Sequence, residues 1–222
     1  MRLPLLLLTA LTAAPAAAQG HDPIVRYIIP GQDEPGYRAW YQASPVHPIR
    51  IAGFHHYLTL HGAAWVLPTW QVVRTASDWS KCGDAAFEVP PTSQWPNIVQ
   101  TLRFIREEVI PAVGPVEAVS AYRNPRLNAC AGGSRTSAHL GFFALDLVPL
   151  KETGREELVA TLCAVHDRRG KAYGAGLGFY SFSRFHVDSR GFRRWVPAGE
   201  DLPCEPVPAE PEPPGRAQSG QQ

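Results

Sequence analysis

The sequence predicts an α+β domain in which helices and short strands follow one another through its middle. Three observations lead there. Ile98, Leu102, Ile105 and Val109 recur at helical spacing, so 98–110 reads as an amphipathic helix ended by Pro111 and Gly114. Thr153-Gly154-Arg155-Glu156 has the form of a capping box, and Leu158, Leu162 and Val165 mark the inner face of the helix it would open, which runs to about Gly170. Around these helices, 116–121, 142–148 and 185–188 read as short strands, and Arg190-Gly191 starts a turn into 192–196.

Taken in order, the chain begins with Arg2 and an apolar run from Leu3 to Ala14, followed by Pro15-Ala16-Ala17-Ala18. That is the pattern of a cleaved signal peptide over 1–18, and the run is short of the ~20 residues a membrane span requires. The mature protein is expected to be exported, periplasmic or extracellular, with no membrane span and no lipid anchor. Residues 19–52, with Pro30-Gly31 and Pro35-Gly36, read as an extended lead-in. A domain over 53–203 follows. Phe54, Tyr57 and Leu58, then Trp65, Val66 and Leu67, supply core positions on either side of Gly62. Residues 124–137 form a loop punctuated by Asn-Pro and Gly-Gly. Gly174, Gly176 and Gly178 do not make a nucleotide site, because a strand-like aromatic segment follows them rather than a helix. The tail, 204–222, is rich in proline and charge and cannot bury enough surface to order itself.

A chain of 222 residues fits one domain of ordinary size. A net charge of +1 gives no electrostatic reason to expect nucleic acid as a partner. The four cysteines, Cys82, Cys130, Cys163 and Cys204, form an even set with no C-x-x-C, which in an exported chain argues for disulfides over a structural zinc site. Three pairings are open; Cys82–Cys130 with Cys163–Cys204 is the one favoured here.

Of the eight histidines, His139 and His186 stand apart. A polar loop delivers His139, and the apolar strand after it carries one charge, Asp146, which is costly there unless paired or metal-bound. His186 and Asp188 alternate with apolar residues and so point to one face of a strand. Two imidazoles and one carboxylate suit Zn²⁺ with a fourth position open; spacing alone also allows a buried ion-pair network. Arg123, at the end of a strand, could meet a developing oxyanion or a substrate carboxylate, or could make a structural salt bridge.

Ser120-Ala121-Tyr122-Arg123, Gly132-Gly133, Ser137-x-His139, Asp146, Gly176-x-Gly178-x-Tyr180 and Phe185-His186-Val187-Asp188 occur in an order that resembles the zinc D-Ala-D-Ala carboxypeptidase family, in the branch ending in His-Val-Asp. The resemblance covers about Phe54 to Trp195. It implies a small antiparallel sheet with flanking helices and a zinc site on the sheet, held by His139, Asp146 and His186. It implies substrate contacts at Arg123, Ser137 and Tyr180, and peptidoglycan peptide stems as the partner of a monomeric D,D-carboxypeptidase or cross-link endopeptidase. One departure stands out. Relatives place a base three residues before the last ligand, or a second histidine two before it, and here those positions hold Ser183 and Arg184. Asp188 is the nearest carboxylate in sequence, as base or as a partner orienting His186. The alternative reading is a zinc-containing wall-binding module without turnover.

Overall fold

Two helices lie early in the described residues, where an extended lead-in was expected: α1, Glu34–Gln42, and α2, Val46–Leu60. The computed structural model describes residues 27–196 and Cys204. The expected signal peptide, the first residues of the lead-in and nearly all of the tail lie outside the described residues. Pro30-Gly31 does sit in a turn, closed by the Gln32 N–H donating to the Ile29 carbonyl at 2.8 Å, but Pro35-Gly36 starts a helix. Asp33 caps α1 by accepting from the Gly36 N–H at 2.9 Å, and Pro35 falls in the first turn, where no N–H is needed. Tyr37 and Trp40 pack against Phe87, with ring centroids 5.4 and 5.8 Å apart. Helix α2 buries Ile51, Phe54 and Leu58, so a domain boundary at residue 53 would cut through a helix that belongs to the core. Trp65 is 83% exposed, with φ of +68°, and is not a core residue; Leu67 is. A short helix α3, Thr69–Val72, follows.

The expected helix over 98–110 is longer than its periodicity suggested. Helix α4, Trp95–Phe104, passes through one wide π turn, Ile105–Val109, into α5, Ile110–Val113. Pro111 does not end it, because it falls in the first turn of α5, just past the π turn. Gly114 ends it, at φ of +82°. Ile98, Leu102, Ile105 and Val109 are all buried. Each such side chain contributes about 1.5–3 kcal/mol of burial free energy.

Strand β1 is Val116–Ser120. The predicted loop after it contains helix α6, Pro125–Cys130, capped by the Asn124 side-chain Oδ1 accepting from the Leu127 N–H, and a 3-10 turn, Ala138–Gly141. Strand β2 is Ala144–Pro149. Helix α7, Arg155–Val165, runs through a second π turn, His166–Gly170, to α8, Lys171–Tyr173. The expected capping box does not form: Gly154 is the cap residue, and the Thr153 hydroxyl donates to the Lys151 carbonyl instead. Strands β3, Gly176–Phe179, β4, Phe185–Asp188, and β5, Arg193–Trp195, complete the sheet.

The sheet order is β1-β2-β4-β3-β5. The first four strands pair antiparallel, as expected; β5 departs from that expectation by pairing parallel to β3. Helices flank the sheet, and its inner face packs Leu145, Val187 and Leu177 into the core. On the opposite face, register lines up two rows. One runs Ser120, Asp146, His186, Gly178, Trp195 from strand to strand; the next runs Ala144, Asp188, Gly176, Arg193. Disulfides join Cys82 to Cys130 and Cys163 to Cys204, the favoured pairing. Among the described residues no helix is long and apolar enough to cross a membrane.

Candidate metal centre

The row across the sheet brings the predicted ligands together. Asp146 on β2 stands directly opposite His186 on β4, and the 3-10 turn drops His139 onto both. Ser137 caps that turn by accepting from the His139 N–H at 3.3 Å, and two contacts from α4 pin the turn's far end: the Asn97 amide donates to the Gly141 carbonyl and the Thr101 hydroxyl to the Phe143 carbonyl. His139 Nε2, His186 Nδ1 and Asp146 Oδ1 form a triangle with sides of 3.2, 3.2 and 3.0 Å. Tetrahedral zinc with ligands about 2.0–2.1 Å away separates its donors by roughly 3.3 Å, so the triangle matches within a few tenths of an ångström.

The chemistry of the three atoms agrees with the distances. His139 Nδ1 lies 2.5 Å from the Ala121 carbonyl, which can only accept, so Nδ1 carries the proton and Nε2 presents a lone pair. His186 Nε2 lies 2.9 Å from Asp188 Oδ2, which likewise leaves Nδ1 with the lone pair. With both imidazoles neutral, three buried acceptors converge, and that arrangement calls for a cation at its centre or, without one, a proton on His186 Nδ1. The same surroundings act on the protons. Burial and the neighbouring Arg123 charge push His139 down to about 4, against the pull of Asp146. Burial alone would raise Asp146, but His139, Arg184 and Arg123 outweigh it and hold the carboxyl well below its usual range. Burial would lower His186, but its hydrogen bonds to Asp146 and Asp188 prevail and raise it.

Asp146 divides its contacts between its two oxygens. Oδ2 takes the Arg123 guanidinium at 2.6 Å and the Arg184 guanidinium, while Oδ1 faces the imidazoles and accepts from the Tyr180 hydroxyl at 3.1 Å. Arg184, at one of the two expected base positions, thus lies against Asp146, over the Tyr180 ring at 4.6 Å. Ser183, at the other expected base position, is buried, and its N–H donates to the Tyr27 hydroxyl.

A cleft of about 520 Å³ opens over the triangle. Arg123, Ser137 and Tyr180, the expected substrate contacts, all line it, together with the 131–134 loop. Asp188 does not line it. Its Oδ2 meets His186 and Arg193, and its Oδ1 meets the Arg190 N–H and Arg193. Asp188 thus lies at the far nitrogen of His186, away from the converging donors.

Two residues that sequence reasoning passed over belong to this site, Arg193 and Trp195, and Arg184, named there only as a departure, lies against Asp146. Trp195 packs its ring against both His186 and Tyr180, with centroids 5.2 Å apart in each case. A signal for them was present in the Gly-x-Gly of β3. A Cβ on Gly178 would lie 2.2 Å from the Trp195 ring, and one on Gly176 would lie 2.3 Å from Asp188 Oδ2. Glycine inside a strand marks close approach by a neighbour, and here the neighbours come from β4 and β5.

No curated protein and no solved structure matches the chain. A family model does: the model for Peptidase M15 matches residues 71–188, from α3 through the last residue of β4. That span is more than half of the chain, carries all three converging ligands and leaves out α1, α2 and β5. The chain belongs to the peptidase M15 family.

Proposed function

We propose that this protein is an exported zinc peptidase that hydrolyses peptide bonds of peptidoglycan, as a D,D-carboxypeptidase or a cross-link endopeptidase. The observation that carries the reading is the triangle of three buried lone pairs beneath an open cleft. His139 Nε2, Asp146 Oδ1 and His186 Nδ1 would hold the ion. Zinc in such a site lowers the pKa of a bound water toward ~7 and polarises the scissile carbonyl. The chain's own groups do the rest. Arg123, 8% exposed at the cleft floor, is held by Ser120 and Asp146 and presents a fixed positive charge to an oxyanion or a substrate carboxylate. The two guanidiniums on Asp146 Oδ2 keep the carboxylate ionised and turn its other oxygen inward. Tyr180 donates to that inner oxygen and fixes the carboxylate's plane. Ser137 secures the turn that bears His139. Asp188 acts through His186, holding the ring with Nδ1 inward, rather than by taking a proton in the cleft. The signal peptide pattern of 1–18 supports a substrate outside the cytoplasm.

One observation favours a second reading, a zinc-containing wall-binding module. Among the described residues the cleft lining has no carboxylate and no histidine besides His139 and His186, and the two expected base positions hold Ser183 and Arg184. Incubation of the mature protein with purified cross-linked muropeptides, followed by mass spectrometry, separates the two. The enzyme reading expects release of D-Ala or of the monomer by wild type, and none by His186→Ala. Wild-type protein that retains muropeptides on a column yet leaves every bond intact would establish the binding module instead.

A further inference from the structure

Strand β5 begins five residues past the last residue of the family match, and it carries two side chains that complete the surroundings of His186. We propose that β5 is a positioning strand for the metal centre: Arg193, acting through Asp188, decides which nitrogen of His186 is free for the ion, and Trp195 fixes the plane of the ring. The proposal rests on the zinc reading above.

A neutral imidazole has one proton and two nitrogens, so something must choose between them. Asp188 chooses by accepting from Nε2, but a lone carboxylate can rotate. Arg193 removes that freedom. Its Nη1 reaches Oδ1 at 3.0 Å and its Nη2 reaches Oδ2 at 2.6 Å, a two-pronged grip that fixes the carboxylate plane. The Arg190 N–H adds a third contact to Oδ1 at 2.8 Å. Parallel pairing of β5 with β3 places Arg193 beside Gly176 and Trp195 beside Gly178, and each glycine leaves the space its neighbour's side chain fills. The Trp195 ring then closes on His186 at an interplanar angle of 60°. Past the strand, Cys204 is bonded to Cys163 on α7, which limits how far this part of the chain can leave the sheet.

The test compares the full mature chain with Arg193→Ala and Arg193→Lys, in three measurements. Zinc affinity is read by chelator competition, the His186 tautomer by ¹⁵N NMR of the metal-free protein at a pH above the ring's titration, and folding by thermal unfolding of the metal-free protein. Arg193→Ala is expected to weaken zinc about 10–100-fold, the range for loss of such a supporting partner, and to convert His186 from a single Nε2–H form to a mixture. Arg193→Lys restores the charge without the grip and is expected to lose less. If both variants bind zinc as tightly as wild type, with His186 still in the Nε2–H form, the proposal is overturned. Should Arg193→Ala fail to fold, Arg193→Lys is read alone by the same criterion. A wild type that takes up no zinc would remove the zinc reading itself, which is a different outcome from tight zinc binding that ignores Arg193.

Discussion

Asp146 does two jobs with two oxygens, and the division explains why so many charges can be buried at one point. Oδ2 is covered by Arg123 and Arg184, so the carboxylate stays ionised in a fully buried place, and Oδ1 remains directed at the two imidazoles. Breaking a buried pair from one side typically costs 3–5 kcal/mol, because the remaining charge is left uncompensated. Arg184→Met is therefore expected to lower stability by about 2–4 kcal/mol, less than the full range because Arg123 still covers Oδ2. Urea unfolding checks this, and a loss under about 0.5 kcal/mol would mean that Arg184 contributes no more than a surface pair. Arg123→Lys keeps a charge but cannot hold both Ser120 and Asp146, so under the peptidase reading cleavage is expected to fall by about 10²–10³ in kcat. Unchanged kcat with a raised KM would instead make Arg123 a binding group only. The ligand trio was legible because an aspartate within Phe-Phe-Ala-Leu-Asp-Leu-Val has no inexpensive place to go unless it is paired or metal-bound. Arg184 was not legible, because an arginine between a serine and a phenylalanine reads equally well as a solvated side chain.

Strands and helices differ in how far the chain declared them. Strand β2 was plain as an apolar run of strand length and β4 because its alternation marks two faces, and their pairing register puts Asp146 opposite His186. The helix over 95–113 was recognised by its buried stripe, but its length was not, since a π turn absorbs the proline that should have stopped it. Helix α1 was missed because Pro30-Gly31 and Pro35-Gly36 look like turn punctuation, and the first half of α2 because that helix carries apolar residues on both faces: Ile51, Phe54 and Leu58 inside, Val46, Ile49 and Leu60 exposed. Glycines in β3 give the most direct check on the element itself. Gly178→Ala puts a methyl into the Trp195 ring, so tryptophan fluorescence should shift and zinc should bind more weakly while the ligands are untouched. Retained affinity would show that the ring gives way freely. The second π turn supplies a pH test. His166 is buried against the Phe192 ring and donates from Nε2 to the Ala175 carbonyl; burial lowers its pKa despite that bond. Because the folded pKa lies below the unfolded value of about 6.5, the unfolded chain takes up the proton first, and stability falls as pH drops through that value. His166→Gln should flatten the slope of unfolding free energy between neutral and mildly acidic pH; an unchanged slope would place the titrating group elsewhere.

The molecule as a whole is a sheet whose functional face is completed by a strand past the family span. Helices α1 and α2 pack into the core, against Phe87, Trp95 and Phe142, the family span of 71–188 supplies His139, Asp146 and His186, and β5 with Cys204 returns along the edge. Removing the second bond with Cys163→Ala and Cys204→Ala is expected to cost about 2–4 kcal/mol, with amide exchange rising first in β5. Exchange that rises evenly across the sheet would mean that the bond restrains the unfolded chain only. Family, sheet and ligand set could be read from motifs in their order, whereas the supporting layer could not, because it depends on which strand edge a segment past the last motif chooses. The central claim is that three atoms, His139 Nε2, Asp146 Oδ1 and His186 Nδ1, hold zinc. Crystals grown with zinc and measured on both sides of its absorption edge test it most directly. The account predicts one strong anomalous peak about 2.0–2.2 Å from each of those three atoms. A peak bonded to His186 Nε2, or none between the three residues, would contradict it.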